Sequence, residues 1–323
     1  GTWRVQVTLD GQRLSFTAKT RQECQAWLKR INKQIDSGLS FNGANMKFSN
    51  YLDLWLNTVK ENRSQKTYYQ HQGLVRNYIL PQFGEHRLQD LHPIQIERYL
   101  TQLKANGIGD RTCQLVYSTM YTALRAAVRK GLIGRNPLEA VEKPRVRNPK
   151  QKTVLDLEQV QRLLIAAQGE RNEVLYHLAI VTGLREGEIF GLKWGDVDWQ
   201  RSRLNIQRRA QRVPKVGIVF SSPKTKSGIR QISLGQITLN KLREHKQRQL
   251  VEKTLAGERW IENDLIFPTV IGTPLDPHNL LKEFKRLLKK ADLPVMRFHD
   301  LRHTSITLVL NEIGAPVKEA QRR

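Results

Sequence analysis

The chain has 323 residues, and its 54 Lys and Arg against 30 Asp and Glu give a formal net charge of +24 at pH 7. That length predicts two or three domains rather than one. No apolar run reaches the roughly 18 residues that a transmembrane helix needs, and no signal-peptide pattern occurs. The composition therefore predicts a protein that neither spans a membrane nor is exported.

The positive charge favours a polyanionic partner, most simply nucleic acid, although charge alone does not separate such a protein from one that is merely basic. The two cysteines, Cys24 and Cys113, form no Cys/His cluster. The glycine-rich phosphate-binding loops of nucleotide enzymes are missing from the sequence. We therefore expect no metal or nucleotide cofactor.

The amino-terminal segment alternates apolar and polar residues around an Asp10-Gly11 turn, which predicts a β-hairpin. A helix follows, from capping-box spacing at Thr20 to Gly38. A two-stranded ribbon fits the major groove of DNA, so the polar face of the hairpin is a candidate DNA reader. A sheet face that is only solvated is the alternative. The candidate contacts on this face are Arg4, Gln6 and Arg13.

Apolar residues recur at helical spacing from Phe48 to about Val141, which predicts a bundle of four or five helices. Candidate DNA-backbone contacts on it, which could equally be solvated helix charges, are Arg111, Arg125 and Arg129. Residues 143–152 hold two prolines and five basic residues and predict a basic interdomain linker. A disordered basic spacer is the alternative. The linker's candidate contacts are Arg145, Arg147 and Lys150.

A second globular region begins after Thr153, with helices on both sides of a short sheet predicted at 204–206, 216–220 and 230–234. The fold class predicted for the chain is mainly α with small β-sheets, in several domains. The domains expected are a small sheet plus helix at 1–42, a helical bundle at 46–142, the linker at 143–152 and an α-rich mixed domain at 153–323.

Two arginines stand in distinctive settings in this last region. Arg185 belongs to the run Thr-Gly-Leu-Arg that begins at residue 182, and Arg302 belongs to a His-x-x-Arg box that begins at His299. Residues three apart share one face of a helix, so His299 and Arg302 can converge on one bound group. Arginine presents paired planar donors that match the oxygens of a phosphate. The pattern therefore predicts a phosphate-binding site.

The ordered set Arg185, Lys224, His299 and Arg302 resembles the catalytic residues of the tyrosine recombinases, the integrases of phages and transposons that cut and rejoin DNA. The resemblance covers nearly the whole chain. It implies an arm-site-binding domain, a SAM-like core-binding domain and a catalytic domain, in that order. It also implies assembly on double-stranded DNA as a dimer to tetramer, in the bacterial cytoplasm and at the nucleoid when bound.

The resemblance implies a role for each residue of the set. Arg185 and Arg302 would bind the phosphate, and His299 would accept a proton from the attacking hydroxyl or orient it. Lys224 would donate a proton to the leaving 5′ oxygen, with Lys226 as the alternative. Glu188, one turn after Arg185, would hold the phosphate-binding residues in place.

The position of the nucleophile departs from the family pattern. In that family a tyrosine follows the second arginine by some tens of residues, whereas all eight tyrosines here precede Arg185. We therefore expect residues 1–323 to bind DNA without cutting it. A non-catalytic DNA-binding protein of the same fold is one alternative. The other is a metal-dependent nuclease, whose candidate ligands would be His299, His303, Asp196 and Asp198.

Overall fold

The computed structural model describes residues 1–9, 12–36, 46–146, 153–223 and 228–312, and the chain divides into two compact units, Gly1–Pro149 and Lys150–Arg323. Four predicted site residues lie outside the described residues: Arg147, Lys150, Lys224 and Lys226. Within the described ranges, no helix combines the length and the apolar character that crossing a membrane requires.

The first unit opens with the predicted hairpin. Strand β1 (Trp3–Leu9) pairs antiparallel with β2 (Gln12–Ala18), and the register sets Arg4 opposite Thr17 and Gln6 opposite Ser15. Arg4 and Gln6 are therefore exposed on one face of the ribbon. Arg13 takes the register position opposite Thr8, in the same row.

Helix α1 (Arg21–Asp36) begins as the capping-box spacing predicted. The backbone N–H of Glu23 donates to the Thr20 hydroxyl at 3.3 Å, and the Thr20 N–H donates to the Glu23 carboxylate at 3.3 Å. On the apolar face of the hairpin, Phe16 stacks on Trp27 of α1 with ring centroids 5.5 Å apart. This contact holds the helix against the two strands.

A helical bundle completes the first unit. Its helices are α2 (Phe48–Asn62), α3 (Gln65–Leu74), which continues through a π-helical turn (Val75–Ile79) into α4 (Leu80–Phe83), α5 (Pro93–Ala105) and α6 (Asp110–Arg129). The buried Tyr51 ties α2 to α6 by donating its hydroxyl hydrogen to the carbonyl of Ala123 at 2.5 Å. Arg111, Arg125 and Arg129 are exposed and recur at whole turns of α6, so they share one outward face.

The second unit contains six helices among its described residues. They are α7 (Leu157–Ala167), α8 (Glu173–Thr182), α9 (Glu186–Phe190), α10 (Gln236–Ala256), α11 (Pro277–Lys290) and α12 (Asp300–Glu312). Its strands are β3 (Val197–Asp198), β4 (Arg203–Ile206), β5 (Arg209–Val213), β6 (Gly217–Ser221) and β7 (Arg230–Ser233). The chain is thus mainly helical with small antiparallel sheets, which confirms the predicted class.

The prediction of one short sheet in this unit is wrong in detail. Strands β3, β4 and β7 form one antiparallel sheet, and β5 pairs with β6 in a separate two-stranded sheet. Strand β5 was not predicted, because its run Arg-Ala-Gln-Arg-Val is largely polar. Because β5 supplies the partner of β6, the segment 216–220 does not pair with its predicted neighbours.

Helix α8 lies at the centre of this unit, and nearly all of its side chains are buried. Tyr176 of α8 stacks on Phe284 of α11 with centroids 5.9 Å apart, and Phe298 meets Phe284 edge to face at 5.5 Å. Helix α12 packs directly on α8. The aromatic cluster therefore fixes the chain immediately before His299.

Truncation of this cluster should destabilise the second unit. Phe284 is fully buried, so we expect Phe284→Ala to lower the free energy of unfolding by about 3–5 kcal/mol. Lys285→Ala, an exposed neighbour on the same helix, is the control and should change it by less than about 0.5 kcal/mol. Urea denaturation measures both, and equal effects would show that the cluster does not organise this core.

Candidate phosphate-binding site

The turn before Arg185 explains the Thr-Gly-Leu-Arg run. Gly183 ends α8 in the left-handed region, with φ at +60°, where a residue with a side chain is strained. The Thr182 hydroxyl donates to the carbonyl of Leu178 at 2.6 Å, and the buried Leu184 anchors the chain after the turn. Arg185 consequently takes the N-cap position of the short helix α9.

Arg185 is bonded to Glu188 through both its backbone and its side chain. Its backbone N–H donates to Glu188 Oε2 at 3.0 Å, and its Nη1 donates to Oε1 at 2.9 Å. Arg230 of β7 binds the same carboxylate, with Nη2 2.9 Å from Oε2 and Nη1 3.3 Å from Oε1. Glu188 is only 3% exposed, so two arginines surround one buried carboxylate.

The charge of Glu188 is stabilised by these bonds. Burial alone would raise its pKa, but the hydrogen bonds from Arg230 and Arg185 outweigh burial and hold the pKa below its usual range. Glu188 is therefore ionised at neutral pH. Glu188 thus contacts Arg185 directly, and it also contacts Arg230, which was not predicted from the sequence.

Helix α9 is held close to strand β5 by two glycines. A Cβ on Gly187 would lie 2.7 Å from the carbonyl oxygen of Ala210, and one on Gly191 would lie 3.1 Å from that of Arg208. Both glycines lie on the face that meets β5, so the backbones approach where a side chain would not fit. This close packing fixes the helix from which Arg185 and Glu188 project.

Arg302 reaches the same turn from α12. Its Nη1 donates a hydrogen bond to the carbonyl oxygen of Gly183, two residues before Arg185. Burial and then repulsion by Arg185 lower the pKa of Arg302, and the nearby Glu188 offsets only part of this effect. Arg302 stays protonated because its ordinary pKa is so high. The two arginines singled out in the sequence therefore meet at one positively charged turn.

His299 directly precedes α12, and its side chain is only partly exposed. Its ring lies perpendicular to that of His303, with centroids 5.4 Å apart. Partial burial, and then the positive charges of His303 and Arg302, lower the pKa of His299 below its usual value. The imidazole is therefore mainly neutral at pH 7 and able to accept a proton.

Asp300, beside His299, secures the first turn of α12. Its carboxylate accepts hydrogen bonds from the backbone N–H of Arg297 at 3.1 Å and from Nη2 of the same residue at 2.7 Å. The hydroxyl of Thr304 accepts from the backbone N–H of Leu155 at 3.1 Å, which ties α12 to the start of this unit. These buried contacts hold the backbone that presents His299 and Arg302.

The two aspartates of the metal alternative have structural partners. Asp196 is buried, accepts a hydrogen bond from the backbone N–H of Lys193 at 2.8 Å and forms an ion pair with Arg208. Asp198 accepts from the backbone N–H of Arg201 at 2.9 Å. Both carboxylates thus stabilise the turns in which they stand. The described ranges contain no group of three or more His, Cys, Asp or Glu side chains placed to hold a metal ion.

The remaining predicted contacts lie in the first unit. Arg4 and Gln6 are on the hairpin, and Arg111, Arg125 and Arg129 are on α6. Arg145 is exposed and forms an ion pair with Glu142 at 2.9 Å. Arg185, Arg230 and Arg302, by contrast, all belong to the second unit.

Two family models and several known proteins match this chain. The sequence model for the phage integrase family matches residues 153–323, and the model for the phage integrase N-terminal SAM-like domain matches residues 47–104. A "Tyrosine recombinase XerC-like" protein of Caldanaerobacter subterraneus subsp. tengcongensis is 30% identical over 340 residues, which cover 98% of this chain and 87% of that protein.

Two groups of solved structures share the fold. The Tn1549 transposon integrase in complex with transposon right end DNA aligns with a TM-score of 0.71 at 20% identity, covering 86% of this chain and 90% of that one. A lambda integrase tetramer bound to a Holliday junction aligns with a TM-score of 0.60 at 20% identity, covering 98% and 91%. A mainly helical fold of the integrase type thus carries the cationic turn. The chain belongs to the phage integrase family.

A methyl group at Gly183 should disturb the turn that joins the two arginines. In Gly183→Ala the left-handed backbone costs about 1–2 kcal/mol, and the new Cβ would lie 3.0 Å from the Ser305 hydroxyl. We expect a lower melting temperature. Gly73→Ala is the matched control, because that site is helical and has nothing within 4 Å. Calorimetry of both variants tests this, and an unchanged melting temperature for Gly183→Ala would contradict the assigned strain.

Proposed function

We propose that this protein is a site-specific DNA recombinase of a mobile element, which cuts and rejoins double-stranded DNA through a 3′-phosphotyrosine intermediate. The observation that carries the proposal is the bond from Arg302 to the carbonyl of Gly183, which sets Arg302 beside the turn that bears Arg185. Two arginines at one turn match the two non-bridging oxygens of a phosphodiester, whose charge increases during attack.

The proposed chemistry is an in-line displacement at phosphorus. A tyrosine oxygen bonds to phosphorus and the bond to the 5′ oxygen breaks, while Arg185 and Arg302 stabilise the charge on the phosphate. His299, neutral at pH 7, accepts or orients the tyrosine proton. The departing 5′ oxygen takes a proton from Lys224, with Lys226 as the alternative; both assignments rest on the sequence.

We propose a separate role for each domain expected from the sequence. Residues 1–42 bind arm-type sites through the polar face of the hairpin, residues 46–142 bind the core site through the exposed arginines of α6, and residues 153–323 carry the phosphate site. The basic residues of segment 143–152 follow the DNA backbone. The excess of positive charge over the whole chain supports DNA as the partner.

We further propose that the protein works as an oligomer on DNA in the bacterial cytoplasm. Solved relatives of this fold include a lambda integrase dimer bound to a core site and a tetramer bound to a Holliday junction. Two strand exchanges at one junction require more than one cleavage site, which an assembly of protomers provides.

Residues 1–323 by themselves should bind core-site DNA and not cleave it. The last tyrosine among them is Tyr176, whose hydroxyl is hydrogen-bonded to Glu283 at 3.1 Å and whose ring is fully buried. A nucleophile must lie in line with the leaving oxygen, so a buried tyrosine in α8 cannot replace one positioned at the phosphate.

A duplex nicked beside the scissile phosphate tests this expectation, because the short fragment leaves after cleavage and traps any covalent complex. We expect a shifted complex on a native gel and no adduct that survives SDS. An SDS-resistant adduct formed by residues 1–323 would contradict the proposal and would identify one of the eight tyrosines as the nucleophile. Phenylalanine variants of those tyrosines would then show which one reacts.

A further inference from the structure

Arg230 has no assigned role, yet it makes the most enclosed contact of the site. It begins β7, its side chain is only 12% exposed, and both of its terminal nitrogens bind the Glu188 carboxylate. Arg185 binds the same carboxylate, but 55% of the Arg185 side chain is exposed. The inner arginine thus faces the protein, and the outer arginine faces the surface where a ligand would arrive.

The four hydrogen bonds saturate Glu188. Oε1 accepts one bond from each arginine side chain, and Oε2 accepts one from Arg230 and one from the backbone of Arg185. A carboxylate has about four acceptor positions, so no position is left for a further donor. Two of the four bonds come from Arg230 and two from Arg185, so both residues set the orientation of the carboxylate.

The balance of charge gives this contact a consequence for ligand binding. Two guanidinium groups share one negative charge, so the cluster of Arg185, Glu188 and Arg230 keeps one positive charge. If Arg230 were neutral, Glu188 and Arg185 would form a one-to-one ion pair without net charge. Arg185 would then attract an anion less strongly and would be drawn towards Glu188.

We infer that Arg230 is a positioning residue for the phosphodiester. Because the buried Arg230 binds and neutralises the Glu188 carboxylate, Arg185 keeps its positive charge and its exposed hydrogen-bond donors for the substrate. The inference rests on the proposed role of Arg185 in binding phosphate. Within the described residues, the Nε and Nη2 groups of Arg185 make no hydrogen bond, which leaves them available to phosphate oxygens.

Lysine should replace Arg230 only in part. A planar guanidinium spans both carboxylate oxygens at once, whereas an ammonium group is a point charge with no matching pair of donors. Arg230→Lys therefore restores the charge balance but not the fixed orientation of Glu188. Arg230→Gln removes the charge and the paired contact together. The two variants separate the electrostatic part of the effect from the geometric part.

The test follows binding of dimethyl phosphate, the simplest phosphodiester, to residues 1–323 by the NMR signal of the Arg185 Nε–H group. We expect Arg230→Gln to raise the dissociation constant roughly tenfold and Arg230→Lys roughly threefold, the range of a charge-assisted contact. Arg203→Gln is the matched control, since it removes an exposed arginine of the adjacent strand that binds Gln231 and not Glu188. That variant should bind like the wild type.

A second readout separates positioning from loss of folding. The side-chain carboxyl signal of Glu188, followed against pH, should titrate at higher pH in Arg230→Gln than in the wild type, since the largest hydrogen-bond contribution to its low pKa is gone. An unshifted titration would overturn the inference. If Arg230→Gln does not fold, as judged by circular dichroism, the threefold effect in Arg230→Lys carries the test.

Arg185→Ala distinguishes failure of this inference from failure of the proposed function. If the wild type and Arg185→Ala bind dimethyl phosphate equally, Arg185 is not a phosphate ligand and the proposed function loses its site. If Arg185→Ala abolishes binding but Arg230→Gln binds like the wild type, the proposed function stands and the role of Arg230 is wrong. Loss in both variants, with Arg203→Gln unaffected, supports both.

Discussion

The position of the cationic site depends on one buried carboxylate. Removing Glu188 from water is unfavourable unless its charge is met by hydrogen bonds, and here two arginines and one backbone N–H provide them. The hydrogen bonds that stabilise the charge of Glu188 also fix the positions of the two arginines that donate them. Arg185 on α9 and Arg230 on β7 are thereby joined, although 42 residues of chain separate Arg230 from Glu188.

The surrounding backbone allows Arg185 and Arg230 to reach Glu188. Gly183 turns the chain sharply at the end of α8, and Gly187 lets α9 approach β5 more closely than a side chain would permit. The carbonyl oxygen of Gly183 accepts a hydrogen bond from Arg302 of α12. Three guanidinium groups thus lie close to the Glu188 carboxylate and the Gly183 carbonyl, and burial, followed by repulsion between them, lowers the pKa of Arg302.

Local patterns in the sequence were enough to predict several parts of this structure. Alternation predicted the hairpin, spacing predicted the capping box at Thr20, and the run from Thr182 to Arg185 together with the His299 box identified both arginines of the turn. Each of these patterns lies within a short stretch of sequence or within one long motif. The residues of such a stretch largely determine its backbone conformation, so the local sequence was enough to predict it.

Contacts between distant segments could not be predicted in the same way. Arg230 follows no motif that would distinguish it from a solvated strand residue, and only the folded chain shows that it faces Glu188. Strand β5 was missed because its polar residues carry no alternation of the usual kind, and its pairing with β6 separates the predicted sheet into two. Both features arise from tertiary packing, which overrides the weak local preferences of the segments concerned.

If Arg302 binds the phosphate at which strands are exchanged, its contribution to binding depends on the charge of that phosphate. The most direct measurement is a cycle in which Arg302→Ala is combined with a core-site duplex whose scissile phosphate is replaced by an uncharged methylphosphonate. Each change alone should weaken binding by roughly tenfold, and the two together should weaken it no further, since both remove the same contact. If the two losses multiply instead, Arg302 and that phosphate do not interact, and the account of the site is wrong.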